Sequence, residues 1–335
     1  MKIALVIPIY NDWEALGVLL RAIDAQSFEL GGDLDVFVID DASTLLPPPN
    51  GLRESLKNIK QVWIVELVCN VGHQRAIAIG LAHVNRLDAY DIVIVMDSDG
   101  EDRPEDLPAL VKAYRENPHA IVVAQRTQRS EGPYFSAFYF LYKRIFRLMT
   151  GREIAFGNFC LMSRTHLSRV VYMPDLWNHL AASILRSRAP IHPLNTARGN
   201  RYAGKSSMNL TSLFAHGFSA MAIFSDLLFI RILLFSLIVA IVAGVIAVIA
   251  LVLRLSTEFA TPGWATTVIG TAIVIFVQWL TLLTIAAFII LMNRSNLLFV
   301  PAVNGFAFIR RTVRIDSSVN RHAEQYDPIV GAGMV

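Results

Sequence analysis

Val93-Ile94-Val95-Met96-Asp97-Ser98-Asp99-Gly100-Glu101-Asp102-Arg103-Pro104-Glu105 is the stretch on which the fold of this chain turns. Four apolar residues run straight into a cluster of acids, and a proline then opens a helix. The apolar run is short, rich in β-branched residues and free of polar ones, the pattern of a strand buried on both faces. In open α/β sheets, ligands bind beyond the carboxyl ends of such strands. Asp97 and Asp99, two apart, converge if the strand ends in a turn. They would then offer hard oxygens to Mg2+ or Mn2+ carrying the phosphates of a substrate. Taken alone, the stretch reads more readily as a solvated acidic loop capping the helix at Pro104, so the rest of the chain decides.

Outward from it, strands and helices alternate. Residues 2–9 predict a strand, and Pro8-Ile9-Tyr10-Asn11-Asp12 turns it into a helix whose Leu16, Leu19, Leu20 and Ile23 share one face. Residues 34–39 predict a second strand, ended by Asp40-Asp41-Ala42-Ser43, and residues 62–67 a third. Asn70-Val71-Gly72 opens a helix carrying Ala76, Ile77, Ile79, Gly80 and Leu81. A helix over 104–117 and a strand over 120–124 follow the opening stretch. This alternation predicts an α/β domain with a mainly parallel sheet covered on both faces. Tyr10 and Asp12, Asp40 and Asp41, and Asp97 and Asp99 fall at the ends of strands one, two and four. Three such coincidences favour a nucleotide site over unrelated turns.

The 335 residues are 54% hydrophobic and 17% charged, with a mean hydropathy of +0.47, too apolar for an ordinary soluble enzyme. The excess lies in residues 232–253 and 264–292, both uncharged and longer than the roughly 20 residues needed to cross hydrocarbon. Arg198, Arg201, Lys205 and Arg231 lie before them, and Arg294, Arg310, Arg311, Arg314 and Arg321 after them. The positive-inside rule then predicts a multi-pass protein with both termini and the first domain in the cytoplasm. Residues 133–150 and 206–231, mixing aromatic and basic or small polar residues, suit amphipathic helices at the lipid interface; a core helix is the alternative for the first. Gln278, in mid-span, suits a hydrogen bond between the two spanning helices. The segment after Asn293 alternates Phe306, Phe308, Ile309, Val313 and Ile315 with arginines, which fits an added strand or a bridge between subunits.

A net charge of +3, with the basic residues near the spans, points to anionic lipid rather than nucleic acid. Cys69 and Cys160 make no disulfide framework and are expected to be small buried residues in a reducing compartment. No secretory signal is expected, because Asn11-Asp12-Trp13 ends the first apolar run. His166, His179 and His192 lack metal-ligand spacing. His73, at the start of a helix, suits either a contact to a diphosphate or an ordinary surface position.

Four ordered motifs carry a family resemblance: Ile7-Pro8-Ile9-Tyr10-Asn11-Asp12, Ile39-Asp40-Asp41-Ala42-Ser43, Asn70-x-Gly72 with Ala76 and Gly80, and Met96-Asp97-Ser98-Asp99-x-Glu101-Asp102-x-Pro104-Glu105. Gly157-Asn158-Phe159-x-Leu161-Met162-x-Arg164 and Arg201-x-x-Gly204-Lys205-Ser206-Ser207 continue it. Over about residues 1–230 the chain resembles the GT-A glycosyltransferases of family 2, in particular polyprenyl-phosphate glycosyltransferases related to dolichyl-phosphate mannose synthase. The resemblance implies a GT-A, Rossmann-like catalytic domain over 1–205, the interfacial helix over 206–231, a transmembrane hairpin over 232–292 and a cytoplasmic tail over 293–335. It further implies an inverting transferase at the cytoplasmic face of the inner membrane, moving a hexose or pentose from a nucleotide sugar, with UDP- favoured over GDP-linked donors, to undecaprenyl phosphate. Pro8, Tyr10, Asp12, Asp40 and Asp41 would hold the nucleoside. Asp97, Asp99 and Glu101, the last where relatives often have Gln, would hold the metal and diphosphate. Arg126, Arg129, Arg201 and Lys205 would face the lipid phosphate.

One departure bears on mechanism. Relatives commonly read Gly-Asp-Phe-Arg-Leu-x-Asp-Arg where this chain has Gly157-Asn158-Phe159-Cys160-Leu161-Met162-Ser163-Arg164. A phosphate monoester, with a second pKa of about 6, is already mostly ionised at neutral pH and needs no base to attack. Asn158 is therefore expected to position a substrate. The alternatives are a catalytically silent membrane scaffold that binds a nucleotide sugar, suggested by the neutralised motif, and a relative of processive polysaccharide synthases, which would need a Gln-x-x-Arg-Trp motif that this chain lacks. The tail and anchor permit a homo-oligomer.

Overall fold

The computed structural model describes residues 1–47, 52, 56–126, 144, 146–148, 150–153, 155–202, 217–256, 263–295 and 299–315. They divide into two units, one within 1–143, 153–223 and 299–335, the other within 144–152 and 224–298.

In the first unit, β1 (Lys2–Ile9), α1 (Trp13–Ser27), β2 (Asp33–Asp40), β3 (Gln61–Leu67), α2 (His73–Leu87), β4 (Ile92–Val95), α3 (Leu107–Glu116) and β5 (Ile121–Arg126) follow the expected alternation. Then come β6 (Cys160–Ser163), α4 (Arg164–Val171), α5 (Leu180–Arg186) and β7 (Ile191–Thr196); β8 (Ile309–Ile315) is formed by the far end of the chain. The sheet runs β7-β5-β6-β4-β1-β2-β3-β8. β1 lies parallel between β2 and β4, and β2 is parallel to β3. β6 runs against both β4 and β5, and β8 runs against β3. The sheet is therefore mixed, with β6 and β8 opposing the other six strands.

Alternate residues of each strand point to opposite faces, and each face has its own core. Ile3, Leu5 and Ile7 pack with Leu16, Leu19, Leu20 and Ile23 of α1 and Leu107 and Leu110 of α3. Ala4, Val6, Val93 and Val95 pack with Ala76, Ile77, Ile79 and Leu81 of α2, and with α4 and α5. α2 approaches the sheet so closely at Gly80 that a Cβ there would stand 2.6 Å from Ile39 Cγ1 and 2.8 Å from Val6 Cγ1.

Residues 160–163 and 191–196 form two strands that the alternation did not anticipate, and one expectation, the burial of Cys69, is reversed. The segment after Asn293 adds a strand: Arg311 of β8 holds Glu66 of β3 through two 2.7 Å bonds, Nε to Oε2 and Nη2 to Oε1, while Phe308 and Phe299 stack about Trp177. Cys69 is exposed, because it falls in the turn that leaves β3, while Cys160 is buried in β6.

In the second unit, α6 (Ser225–Ser256) and α7 (Trp264–Ser295) pack on each other. At 1.5 Å per residue each exceeds the roughly 30 Å of a bilayer's hydrocarbon, and both are long and apolar enough to cross it. Ala243 and Ala250 on α6 and Ala265 and Ala286 on α7 are buried, whereas Phe235, Ile238, Ile273 and Phe276 are exposed. Small residues at a helix contact with large apolar ones facing outward is the pattern of a lipid-facing pair. Gln278 is exposed rather than turned into that contact. Of the expected interfacial helices, 133–143, 145 and 149 in the first and 206–216 in the second lie outside the described residues; residues 144, 146–148, 150 and 217–222 are helical.

Candidate active site

The loops leaving β1, β2 and β4 meet at one edge of the sheet. Asn11, with φ 59°, closes the first loop onto the second: its Oδ1 accepts from the Thr44 and Leu45 backbone N–H at 2.8 and 2.9 Å, and its own N–H reaches Ser43 Oγ at 2.8 Å. Asp40 Oδ1 accepts from the Ser43 N–H at 2.9 Å. Asp41 accepts from the N–H of Val71 at 2.7 Å and of Gly72 at 2.9 Å, tying β2 to the entry of α2. Burial raises the Asp41 pKa, against the pull of those two bonds. Pro8 is buried inside β1, Tyr10 is exposed, and Asp12, just before α1, lies near enough for its charge to act on Arg201.

The loop after β4 folds back on itself. Asp102, buried, accepts from the Asp97 N–H at 3.1 Å through Oδ2, and Asp99 Oδ1 accepts from the Glu101 N–H at 2.9 Å. Residues 199–202 lie alongside, with Gly199 N–H to Glu101 O at 2.8 Å and Tyr202 N–H to Asp99 O at 3.0 Å. The Tyr202 ring lies over Gly100, whose φ of +86° and missing Cβ allow both the turn and the contact. This backbone pairing delivers Arg198 and Arg201 to the acids. Glu101 Oε1 accepts from Arg198 Nη2 at 2.8 Å and from Arg201 Nε at 2.9 Å; Glu101 Oε2 accepts from Arg126 Nη1 at 3.1 Å. Arg201 Nη2 also reaches Asp99 Oδ2 at 2.7 Å, and Arg126 Nη2 donates to Asp102 Oδ1 at 3.0 Å.

A third group forms behind Asp97. Its Oδ1 lies 3.1 Å from His73 Nε2 and accepts from Asn158 Nδ2 at 3.4 Å. Asn158 Oδ1 accepts from Gln74 Nε2 at 2.9 Å, and Gln74 Oε1 accepts from the Leu180 N–H at 2.8 Å. A backbone N–H can only donate, so this chain fixes the orientation of both amides: Asn158 turns its NH2 toward Asp97 and His73.

The charges are tuned accordingly. Burial would raise the Glu101 pKa, but hydrogen bonds and charge from Arg198, Arg201 and Arg126 hold it at about 2. Burial and the Asp97 charge push Asp102 up to about 7, with Arg126 acting the other way. Burial also acts to raise Asp97, yet the charge and hydrogen bond of His73 leave it below its ordinary value. Desolvation opposes protonation of His73, and the charge of Asp97 outweighs it, so the His73 pKa is raised.

A divalent cation fits part of the expected set. Among the described residues no three His, Cys, Asp or Glu side chains form a metal-holding group. Mg2+, however, is commonly held by one or two carboxylates plus substrate phosphates, and Asp97 and Asp99 are such a pair, close enough for the charge of one to raise the pKa of the other. Glu101, expected as a third ligand, has both oxygens taken by guanidinium groups.

The structure thus gathers Asp97, Asp99, Glu101, Arg126, Asn158 and Arg201, and brings the Asp12, Asp40 and Asp41 loops alongside. Arg129 and Lys205 lie outside the described residues. Asp102, Gln74 and Arg198 join the site without having been singled out. Arg198 entered the sequence reading only as one of the basic residues before the first apolar span.

Residues 4–171, half of the chain, match the family described as Glycosyl transferase family 2, and the chain belongs to that family. The undecaprenyl-phosphate 4-deoxy-4-formamido-L-arabinose transferase of Erwinia tasmaniensis is 26% identical over 170 residues, 51% of this chain and 50% of that protein. Its namesake from Klebsiella pneumoniae is 28% identical over the same shares. The chain spans about half the length of these curated relatives. Among solved structures, glucosyl-3-phosphoglycerate synthase from Mycobacterium tuberculosis is similar over 68% of this chain and 79% of its own, at 15% identity and a TM-score of 0.48.

Proposed function

We propose that this protein is an inverting, membrane-bound glycosyltransferase that moves a sugar from a nucleotide sugar, UDP- rather than GDP-linked, to a polyprenyl phosphate such as undecaprenyl phosphate. The observation that carries this is the gathering of Arg126, Arg198 and Arg201 on Glu101, with Arg201 also on Asp99, in the same loop that carries Asp97 at the carboxyl edge of a family 2 sheet. Acids that suit a metal-bound diphosphate stand beside guanidinium forks that suit a phosphate. The curated relatives' names, which specify undecaprenyl phosphate, support the acceptor.

In this reading the loops of Tyr10, Asp12, Asp40 and Asp41 receive the nucleoside, and Asp97 and Asp99 face the diphosphate. A divalent cation held there, Mg2+ or Mn2+, would neutralise the negative charge that grows on the leaving nucleoside diphosphate. The arginines orient the acceptor so that a phosphate oxygen attacks the anomeric carbon opposite the departing diphosphate, which inverts the configuration. Asn158 presents N–H groups rather than a base, and an ionised phosphate monoester asks for none. The neutral residue at 158 therefore does not imply a silent protein. α6 and α7 would anchor the enzyme in the inner membrane, with the first unit and both termini on the cytoplasmic side, where the flanking arginines favour them.

Incubating the purified protein in detergent micelles with undecaprenyl phosphate, Mn2+ and a panel of nucleotide sugars tests the reading. A glycosylated lipid phosphate from one donor is the expected product. Donor binding without any lipid product across the panel would favour the silent scaffold.

A further inference from the structure

Three guanidinium groups converging on one carboxylate is an unusual expenditure of positive charge, and their exposure gives the arrangement a direction. Glu101 keeps only 13% of its side chain exposed, whereas Arg126, Arg198 and Arg201 keep 31, 26 and 29%. The carboxylate lies beneath and the cations stand above it. Arg198 and Arg201 share Oε1, Arg126 takes Oε2, and the outer arms of Arg126 and Arg201 are held by Asp102 and Asp99. Each guanidinium has five N–H donors, so the cluster can bind an anion with more oxygens than a carboxylate without giving up Glu101. Without that carboxylate, three like charges at this separation would repel and splay.

We propose that Glu101 is a positioning residue that gathers Arg126, Arg198 and Arg201 into one phosphate-binding site, with Arg198 as its third arm. This rests on the transferase reading and specifies how its acceptor is held. It gives Glu101 a role distinct from metal ligation: the side chain faces cations on both oxygens, and the site it builds takes a phosphate monoester rather than the nucleoside diphosphate.

The test is equilibrium binding of undecaprenyl phosphate to the full chain in micelles, for wild type, Glu101→Gln, Glu101→Asp and Arg198→Ala, with a Mn2+ titration of donor binding alongside. The Gln variant keeps the size and loses the charge. It should weaken lipid-phosphate binding by about tenfold or more, as expected for charge-assisted hydrogen bonds. Arg198→Ala should do the same, Asp should recover part of the loss, and donor affinity and the Mn2+ half-saturation should stay within about twofold in all three. Preserved donor binding separates this from misfolding. Unchanged lipid-phosphate binding in both Glu101→Gln and Arg198→Ala would overturn the proposal, as would a raised Mn2+ requirement with unaltered lipid binding. A wild type that binds the lipid phosphate yet transfers no sugar would defeat the transferase reading and leave this one standing; one that binds no lipid phosphate would defeat this one.

Discussion

Asn158 and Gln74 illustrate how single amides acquire a direction here. The Leu180 N–H fixes Gln74, Gln74 fixes Asn158, and Asn158 turns its NH2 toward Asp97. Two residues linked in series should be energetically coupled. Asn158→Ala and Gln74→Ala are each expected to lower kcat/KM, and the double variant to lose clearly less than both losses combined, by an interaction energy of about 0.5–3 kcal/mol. Strict additivity in that cycle would mean the relay is incidental. Asn158→Asp, which restores the residue common in relatives, should change the rate only modestly. None of this polarity was legible in the sequence: Gln74 sits in an unremarkable helix start, and its partner Leu180 is more than a hundred positions away. Asp97 and Asp99 could be singled out because acids recur at the ends of three apolar runs, a coincidence that a lone acidic loop does not supply. Arg198 and Asp102 were not, because only tertiary pairing distinguishes them from neighbouring arginines and acids.

Among the elements, β1 to β4 could be read directly, since each is an apolar run bounded by turn residues. β6 and β7 were hidden for physical reasons. The first, Cys160-Leu161-Met162-Ser163, has no β-branched residue, unlike the equally short β4, and the second carries His192, Pro193 and Asn195 on the sheet's edge, where burial is incomplete. α2 was legible as a helix, but one consequence of its burial was not. His83 of α2 lies edge-on to Phe37 of β2 at 5.9 Å between ring centroids, and desolvation, aided by Arg86, lowers its pKa to about 4. The folded protein keeps this imidazole neutral, while the unfolded chain takes up a proton below its ordinary value of 6.5. Its contribution is therefore fully present above pH 6.5 and is lost as pH falls toward 4, by about 1.4 kcal/mol per unit. Thermal unfolding of the full chain in micelles at pH 7 and pH 5 should show a smaller pH difference for His83→Gln than for wild type. An equal difference would show that His83 protonates freely in the folded state.

For the molecule as a whole, the chain leaves the first unit, forms the apolar pair α6 and α7, and returns to complete the first unit's sheet with β8. A mixed sheet with a polar edge and a lipid-facing helix pair in one chain suits a reaction between a water-soluble donor and a membrane-resident acceptor. In the proposed reaction Asp97 and Asp99 serve departure of a nucleoside diphosphate while a lipid phosphate attacks. Its most direct measurement is transfer of radiolabelled sugar to undecaprenyl phosphate in micelles with Mn2+, comparing wild type with Asp99→Ala at matched folding. Wild type should form labelled lipid phosphate, and the variant should lose about a hundredfold or more of that rate, the scale of removing charge stabilisation at a reacting centre. Transfer by Asp99→Ala at the wild-type rate would contradict the account.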